Sequence, residues 1–330
     1  MAKKLELTLA CGPYESVRAL IEGTVAPDGV QFTVLTNMDS STRHWRMLRN
    51  HEFDVCELSM SSYLVAKDQG YPLTAIPVFL HRRFRHGFIF VNSAAGISEP
   101  TDLIGKRIGV KTFQTTAILW IRGILESEYG VDHTKVTWVT ELEEDVEFNP
   151  AAGLSLERAP AGLTVEDMLV DGEVDAVLHP DLIDPILNGD SRVGRLFENY
   201  HEVELDYFRR TGIFPIMHVT AIRQELIDEH PWLPINLNRA FEASKEVAYK
   251  RLANPRVIPL AWFRSYLDEE RELFGGDPWE YGLSDRNRHN LETAIGYSHE
   301  CGLISRKLSV DELFTDPPIG QGRERYGRMV

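Results

Sequence analysis

Two segments of this chain repeat one pattern, and that repeat limits the folds open to it. Glu52-Phe53-Asp54-Val55-Cys56-Glu57-Leu58 is an acidic strand start followed by an apolar run, and it empties into Ser59-Met60-Ser61-Ser62. Gly172-Glu173-Val174-Asp175-Ala176-Val177-Leu178 does the same and empties into His179-Pro180-Asp181. Each follows a helical stretch. Strands alternating with helices call for a mostly parallel sheet. Two such units far apart in one chain of 330 residues call for two similar α/β lobes. Polar residues just beyond strand ends lie at the rim of such sheets, where open α/β folds bind ligands.

The remaining pattern fits this frame. Leu5–Ala10, 31–35, 53–58, 73–79, 87–91, 107–110, 136–140 and 174–178 are expected strands. A helix is expected over about 14–22, and another carries Trp45, Met47 and Leu48 behind a Ser41 or Thr42 cap. A strong amphipathic helix is expected over 116–129, and an excursion or lid over 141–163. Residues 213–222 read as a strand. Beyond it come mostly helices, clearest over 234–253, 259–274 and 285–301. The chain is expected to cross between lobes near 86–95 and to return near 205–220. The Arg- and Gly-rich segment 320–330 reads as a tail.

Composition narrows the function. A net charge of −15 argues against nucleic acid as partner, because phosphate contacts need a basic face. No apolar run reaches the roughly 18 residues of a membrane span. The first residues alternate in polarity (Leu5, Leu7, Leu9 against Glu6, Thr8) where an export leader needs roughly 7–15 apolar residues in a row. The expectation is a cytoplasmic protein. Cys11, Cys56 and Cys301 form no CxxC and fit a reducing compartment.

Against that acidic background, His81-Arg82-Arg83-Phe84-Arg85-His86 stands out. In an extended segment alternate residues share a face, so His81, Arg83 and Arg85 point one way and Arg82, Phe84 and His86 the other. Arg83 and Arg85 are candidate carboxylate binders, since guanidinium makes bidentate contacts. His86 and His81 are candidate proton donors. His179 with Asp181, and His218, are further candidates. Glu57 is a base, a metal ligand or an orienter of His86. Ser59, Ser61 and Ser62 sit where they cap a helix or bind an anion. Lys111, Gln114, Thr115 and Thr116 form the matching turn before the long helix. His44, His51, His133, His201, His230, His289 and His299 read as surface residues. Glu57, His81, His86, His179 and Asp181 would make an acceptable N/O set for a divalent ion, and metal dependence stays open. The expected partner is a small anionic molecule with a proton to be moved.

The runs Leu7-Thr-Leu-Ala-Cys-Gly, Glu52-Phe-Asp-Val-Cys-Glu-Leu-Ser-Met-Ser-Ser-Tyr63, Ala75-Ile-Pro-Val-Phe79, Phe84-Arg-His-Gly-Phe-Ile-Phe-Val-Asn92, Asp102-Leu-Ile-Gly-Lys-Arg-Ile-Gly-Val110 and Trp120-Ile-Arg-Gly-Ile-Leu125 resemble the 4,5-dihydroxyphthalate decarboxylase family. The resemblance implies an α/β, two-lobed type 2 periplasmic-binding-protein-like fold with mixed, mostly parallel sheets and a helical C-terminal part. It implies lobes of 1–92 with 213–330 and of 93–212, with the ligand between them. It also implies non-oxidative decarboxylation of 4,5-dihydroxyphthalate or a close phenolic diacid to a protocatechuate-like product, and it favours Arg85 and His86 at the site. No organic cofactor is obligatory for such a step. The rival expectations are a solute-binding protein of the same fold, which calls for a secretion signal, and another small-molecule enzyme such as a pyrimidine-precursor synthase, which calls for a dense His or Cys cluster. The helical C-terminal hundred residues either complete the first lobe or bury a homo-oligomer interface.

Overall fold

The computed structural model describes residues 4–254 and 256–315. Among these residues, eleven strands make two sheets. They are β1 (Leu5–Ala10), β2 (Val30–Leu35), β3 (Val55–Ser59), β4 (Leu73–Ile76), β5 (Ile89–Asn92), β6 (Arg107–Val110), β7 (Thr137–Thr140), β8 (Ser155–Arg158), β9 (Ala176–Leu178), β10 (Val193–Arg195) and β11 (His218–Arg223). The first sheet has the order β2-β1-β3-β11-β4, and the second β10-β5-β9-β6-β7-β8. β11 runs antiparallel to β3 and β4, and β5 runs antiparallel to β9 and β10; the other pairs are parallel. The chain therefore leaves the first sheet after β4 and returns only with β11.

The two echoing segments become β3 and β9. Each is buried along its whole length, which is why each is apolar after its acidic start. Each lies inside its sheet, between β1 and β11 or between β5 and β6. Their C-terminal ends deliver Glu57–Ser59 and His179 to the rims of the two lobes.

Several expectations shift. The strand expected over 213–222 starts only at His218, because Phe214 and Ile216 instead pack in the crossover, Pro215 takes the Arg83 amide through its carbonyl, and Ile216 bridges Arg82. The 141–163 excursion contains an edge strand, β8, whose alternating Ser155-Leu156-Glu157-Arg158 is too short to stand out. The Ser40–Asn50 helix is capped by Asp39, which accepts the Thr42 amide at 2.9 Å, and not by Ser41 or Thr42. Its buried side is Arg43, His44, Met47 and Leu48, while Trp45 is exposed. The expected 116–129 helix is found as Thr116–Tyr129. The C-terminal helices are Leu233–Leu252, Phe263–Phe274 and Asp285–Glu300. The expected tail, 320–330, lies outside the described residues. No described helix is long and apolar enough to cross a membrane.

Candidate active site

Glu57 is wholly buried and fully engaged. Its Oε2 accepts the Gly12 amide at 2.7 Å and the Arg43 guanidinium at 2.8 Å. Its Oε1 accepts the Tyr14 hydroxyl at 2.7 Å and lies 2.5 Å from His218 Nδ1. Burial alone would push the carboxyl up. The charge of His218 and its hydrogen bond, with Arg43 and the Tyr14 hydroxyl, outweigh that and hold it far below the usual carboxylate range. An ionised Glu57 only accepts, so His218 Nδ1 carries the proton and Nε2 faces away from the carboxylate.

The fold explains the convergence. β11 is antiparallel to β3, with His218 opposite Ser59 and Thr220 opposite Glu57. Glu57 and His218 are thus diagonal neighbours on one face of the sheet. Gly12 and Tyr14 come from the turn after β1, next to β3. Arg43 comes from the buried stripe of the Ser40–Asn50 helix.

Two further imidazoles flank His218. The His44 ring lies edge-on at 4.9 Å and the His81 ring edge-on at 4.8 Å. His81 also stacks on Tyr14 at 6.1 Å. His44 Nε2 and His81 Nδ1 are buried without a hydrogen-bond partner. Burial, then the charge of His218, depresses both: His44 well below the ordinary histidine value and His81 to about 2. Both rings are neutral. Cys11, beside Glu57, is pushed up to about 12 by burial and then by the carboxylate, so it is a thiol.

The expected split of the 81–86 cluster appears in the geometry. His81, Arg83 and Arg85 turn toward His218 and the 180–181 turn, whereas Arg82 reaches Asn287 at 2.6 Å and Phe84 packs on Phe214. Arg83 pairs with Asp181 at 3.0 Å. Arg85 is buried, donates to the Pro180 carbonyl at 2.7 Å, and lies over Phe88 at 5.2 Å. A cavity of about 620 Å³ opens beside Arg83, lined by Arg82, Phe84, Phe88, Asp181 and Phe214 among others, but not by Arg85 or His218.

Other candidates are placed elsewhere. His86 lies among Phe197, Tyr207 and Tyr129, both ring nitrogens buried and unpartnered, its pKa depressed by burial to about 4. It is therefore not the imidazole that Glu57 orients. His179 has Nδ1 2.8 Å from the Asp181 carbonyl and Nε2 3.2 Å from Glu166. Lys111 is held between Glu141 at 2.9 Å and Glu166 at 3.0 Å, so it is a neutralised cation rather than a free anion contact. Gln114 spends both ends of its amide on the Val146 backbone. Thr115 bonds Thr112. Ser59 meets Thr116 at 2.7 Å, Thr116 also accepts the Ser61 amide, and Ser62 donates to Asp145 at 2.8 Å. These hydroxyls join the lobes to each other.

Two surface assignments are corrected. His44 is buried in the Glu57 cluster, and His133 is buried against Glu126 at 2.7 Å. Arg43 and His44 carried a signal: 43, 44, 47 and 48 form one helical stripe with Met47 and Leu48. The five-residue N/O set does not converge. Among the described residues, only Glu126, Asp132 and His133 bring three such ligand atoms within 4.8 Å of one another.

The arrangement is a two-lobed, periplasmic-binding-protein-like fold with a buried carboxylate–imidazole pair at one rim and guanidiniums at the crossover. The alkanesulfonate-binding protein SsuA from Xanthomonas axonopodis pv. citri superposes with a TM-score of 0.60 at 15% identity, covering 96% of this chain and 100% of that one. The periplasmic aliphatic sulphonate-binding protein from Escherichia coli gives 0.56 at 14%, covering 95% and 98%. These show the fold. Residues 26–147 match the family model described as NMT1/THI5 like. A 4,5-dihydroxyphthalate decarboxylase of Comamonas testosteroni is 39% identical over 320 residues, 94% of this chain and 96% of that protein. One from Pseudomonas putida is 37% identical over 213 residues, 62% of this chain and 82% of that protein. The chain belongs to the 4,5-dihydroxyphthalate decarboxylase family.

Proposed function

We propose that this protein converts 4,5-dihydroxyphthalate to 3,4-dihydroxybenzoate and carbon dioxide, with His218 moving the proton. The observation that carries the residue assignment is the Glu57–His218 pair, buried at the rim beside two neutral histidines. In the reaction a ring hydroxyl pushes electrons into the ring. The carbon bearing the leaving carboxylate takes a proton from His218 Nε2. The bond to that carboxylate then breaks, its electron pair restores aromaticity, and carbon dioxide departs. One proton enters for each carbon dioxide lost, so no oxidant is required. Glu57 holds the ring of His218 and stabilises its cation, as an orienting carboxylate does for a catalytic histidine. Such general acid help supplies about 10²–10⁴-fold. Arg85 is the cation for the carboxylate that stays, and the Arg83–Asp181 side is the approach. His81 and Tyr14 face the ring hydroxyls.

The test is carbon dioxide release by the purified protein from 4,5-dihydroxyphthalate, with and without chelator. Release that falls by about 10²-fold or more in His218→Asn supports the assignment. Release that survives His218→Asn but is lost in His86→Ala moves the acid to His86. Loss on chelation makes the imidazoles ligands. Binding without release favours the solute-binding reading, which the decarboxylase relatives make the weaker one.

A further inference from the structure

Arg85 is 2% exposed, and among the described residues no carboxylate oxygen lies within ion-pair distance of it. Burying a charge without a counter-charge is costly. Burial, then the charge of Arg83, disfavours its cation, and Asp181 and Glu204 offset this through space only. Of its donors, Nη1 has the Pro180 carbonyl. The opposite edge, Nε and Nη2, meets a single atom, Met217 Sδ, at 3.0 and 2.6 Å. That two-nitrogen edge is the part of a guanidinium that grips a carboxylate in parallel. A thioether is a weak acceptor. The best donor pair at the crossover is therefore spent on the poorest acceptor.

Met217 is built to yield that place. Its backbone is pinned on both sides, with its amide on the His81 carbonyl at 2.9 Å and its carbonyl taking the Met60 amide at 3.0 Å. Its side chain is 1% exposed and lies in a cluster with Trp120, Tyr207 and Ile213, and methionine adapts its shape to a changed neighbour more readily than other apolar residues. Its neighbour in sequence is His218. A carboxylate received by Arg85 would thus lie against the residue that leads into the strand of the proton-moving imidazole.

We propose that the Met217 thioether stands where Arg85 receives the carboxylate the product keeps, making Met217 a specificity-determining residue that only an anionic ring substituent displaces. This rests on the decarboxylase reading of the same site. An aromatic diol without a carboxylate leaves Met217 on Arg85. One with a carboxylate exchanges the thioether for two charge-assisted hydrogen bonds.

Calorimetric binding of 3,4-dihydroxybenzoate and of catechol tests this, alongside carbon dioxide release by the wild type. The expected wild-type preference is for 3,4-dihydroxybenzoate. Met217→Leu, which keeps the bulk and removes the acceptor, widens that preference by about three- to tenfold, the span of one modest hydrogen bond. Arg85→Gln collapses it to within about twofold. An unchanged preference in Met217→Leu overturns the proposal. If that variant does not fold, the wild type labelled with [methyl-13C]methionine decides. One methyl resonance moves with 3,4-dihydroxybenzoate and stays with catechol, and the same spectrum with both ligands overturns the proposal. A wild type that releases no carbon dioxide yet shows both shifts in preference keeps the seat and loses the decarboxylase reading. One that releases carbon dioxide with no shift in preference loses the seat alone.

Discussion

Glu57 stays ionised in a site that water does not reach because four donors converge on its two oxygens. Removing its charge exposes the cost of its partners. Glu57→Gln leaves the Arg43 guanidinium, 1% exposed, without its counter-charge. Breaking one side of a buried ion pair costs about 3–5 kcal/mol, so the urea midpoint should fall by that equivalent. Carbon dioxide release should fall further than a merely destabilised protein would show at low temperature. Arg43→Met with Glu57→Gln should recover stability but not activity. The sign of the pH dependence follows from the same group. Its folded carboxyl is depressed, so its contribution to stability is complete above the ordinary value of 4.5 and is lost as the pH falls below it. Thermal unfolding of the wild type should weaken steeply below about pH 4.5, and Glu57→Gln should flatten that slope. At this scale the sequence was partly legible. Glu57 and His218 were visible as strand-end residues, yet nothing local shows that β11 returns antiparallel beside β3. His86 drew attention through its neighbours Arg85 and His81, but alternation along the segment turns it to the opposite side. His44 looked like a surface residue among polar neighbours, although it shares a helical stripe with Arg43, Met47 and Leu48.

Among the elements, the segment from Glu141 to Asn149 links the lobes. Glu144 accepts the amides of Phe113 and Gln114 at 2.7 and 2.9 Å. Asp145 accepts from Ser62, and the carbonyls of Glu144, Asp145 and Glu147 take Arg49 and Gln69 of the first lobe. Burial raises Glu144 to about 7, against its two amide bonds, and raises Asp145 to about 6, against the Ser62 hydroxyl. Raised carboxyls bind protons in the docked state before the undocked one does. The docked segment is therefore favoured as the pH falls from about 8 through 6. Hydrogen exchange of 142–149, corrected for intrinsic rates, should be slower at pH 6 than at pH 8, and Glu144→Gln should remove most of the difference. The acidic run 141–147 announced a separate excursion in the sequence. Its docking was hidden, because the partners Arg49, Ser62 and Gln69 are polar residues that alone look like a solvated surface.

Across the whole molecule, two further places join the lobes besides the 141–149 segment. At the rim, the Met60–Asp68 and Thr116–Tyr129 helices meet end to end through Ser59 and Thr116. Thr116→Val keeps the shape and removes both hydrogen bonds. It should favour the open form, raising KM several-fold with little change in kcat, and should increase the radius of gyration seen by small-angle scattering. Away from the rim, the Asp285–Glu300 helix packs on the Met60–Asp68 helix and on the Thr116–Tyr129 helix, one from each lobe. The helical C-terminal part therefore spans the lobes instead of only completing one, which periodicity could not show because both faces look like ordinary helix packing. The seam is tightest at Gly123, where an added Cβ would run into the Tyr297 ring. That ring is the edge partner of buried Trp120, whose indole donates to the Ile216 carbonyl just before Met217 and His218. Overpacking a core costs about 1–3 kcal/mol. Gly123→Ala gains some helix propensity, about 1 kcal/mol, but must displace Tyr297. The net expectation is a lower melting temperature together with a loss of carbon dioxide release larger than that of Thr116→Val, because the displacement passes through Trp120 to the start of β11. A Gly123→Ala protein with the melting temperature and the activity of the wild type would mean that the seam yields freely, and that the two lobes are held by the rim contacts and the 141–149 segment.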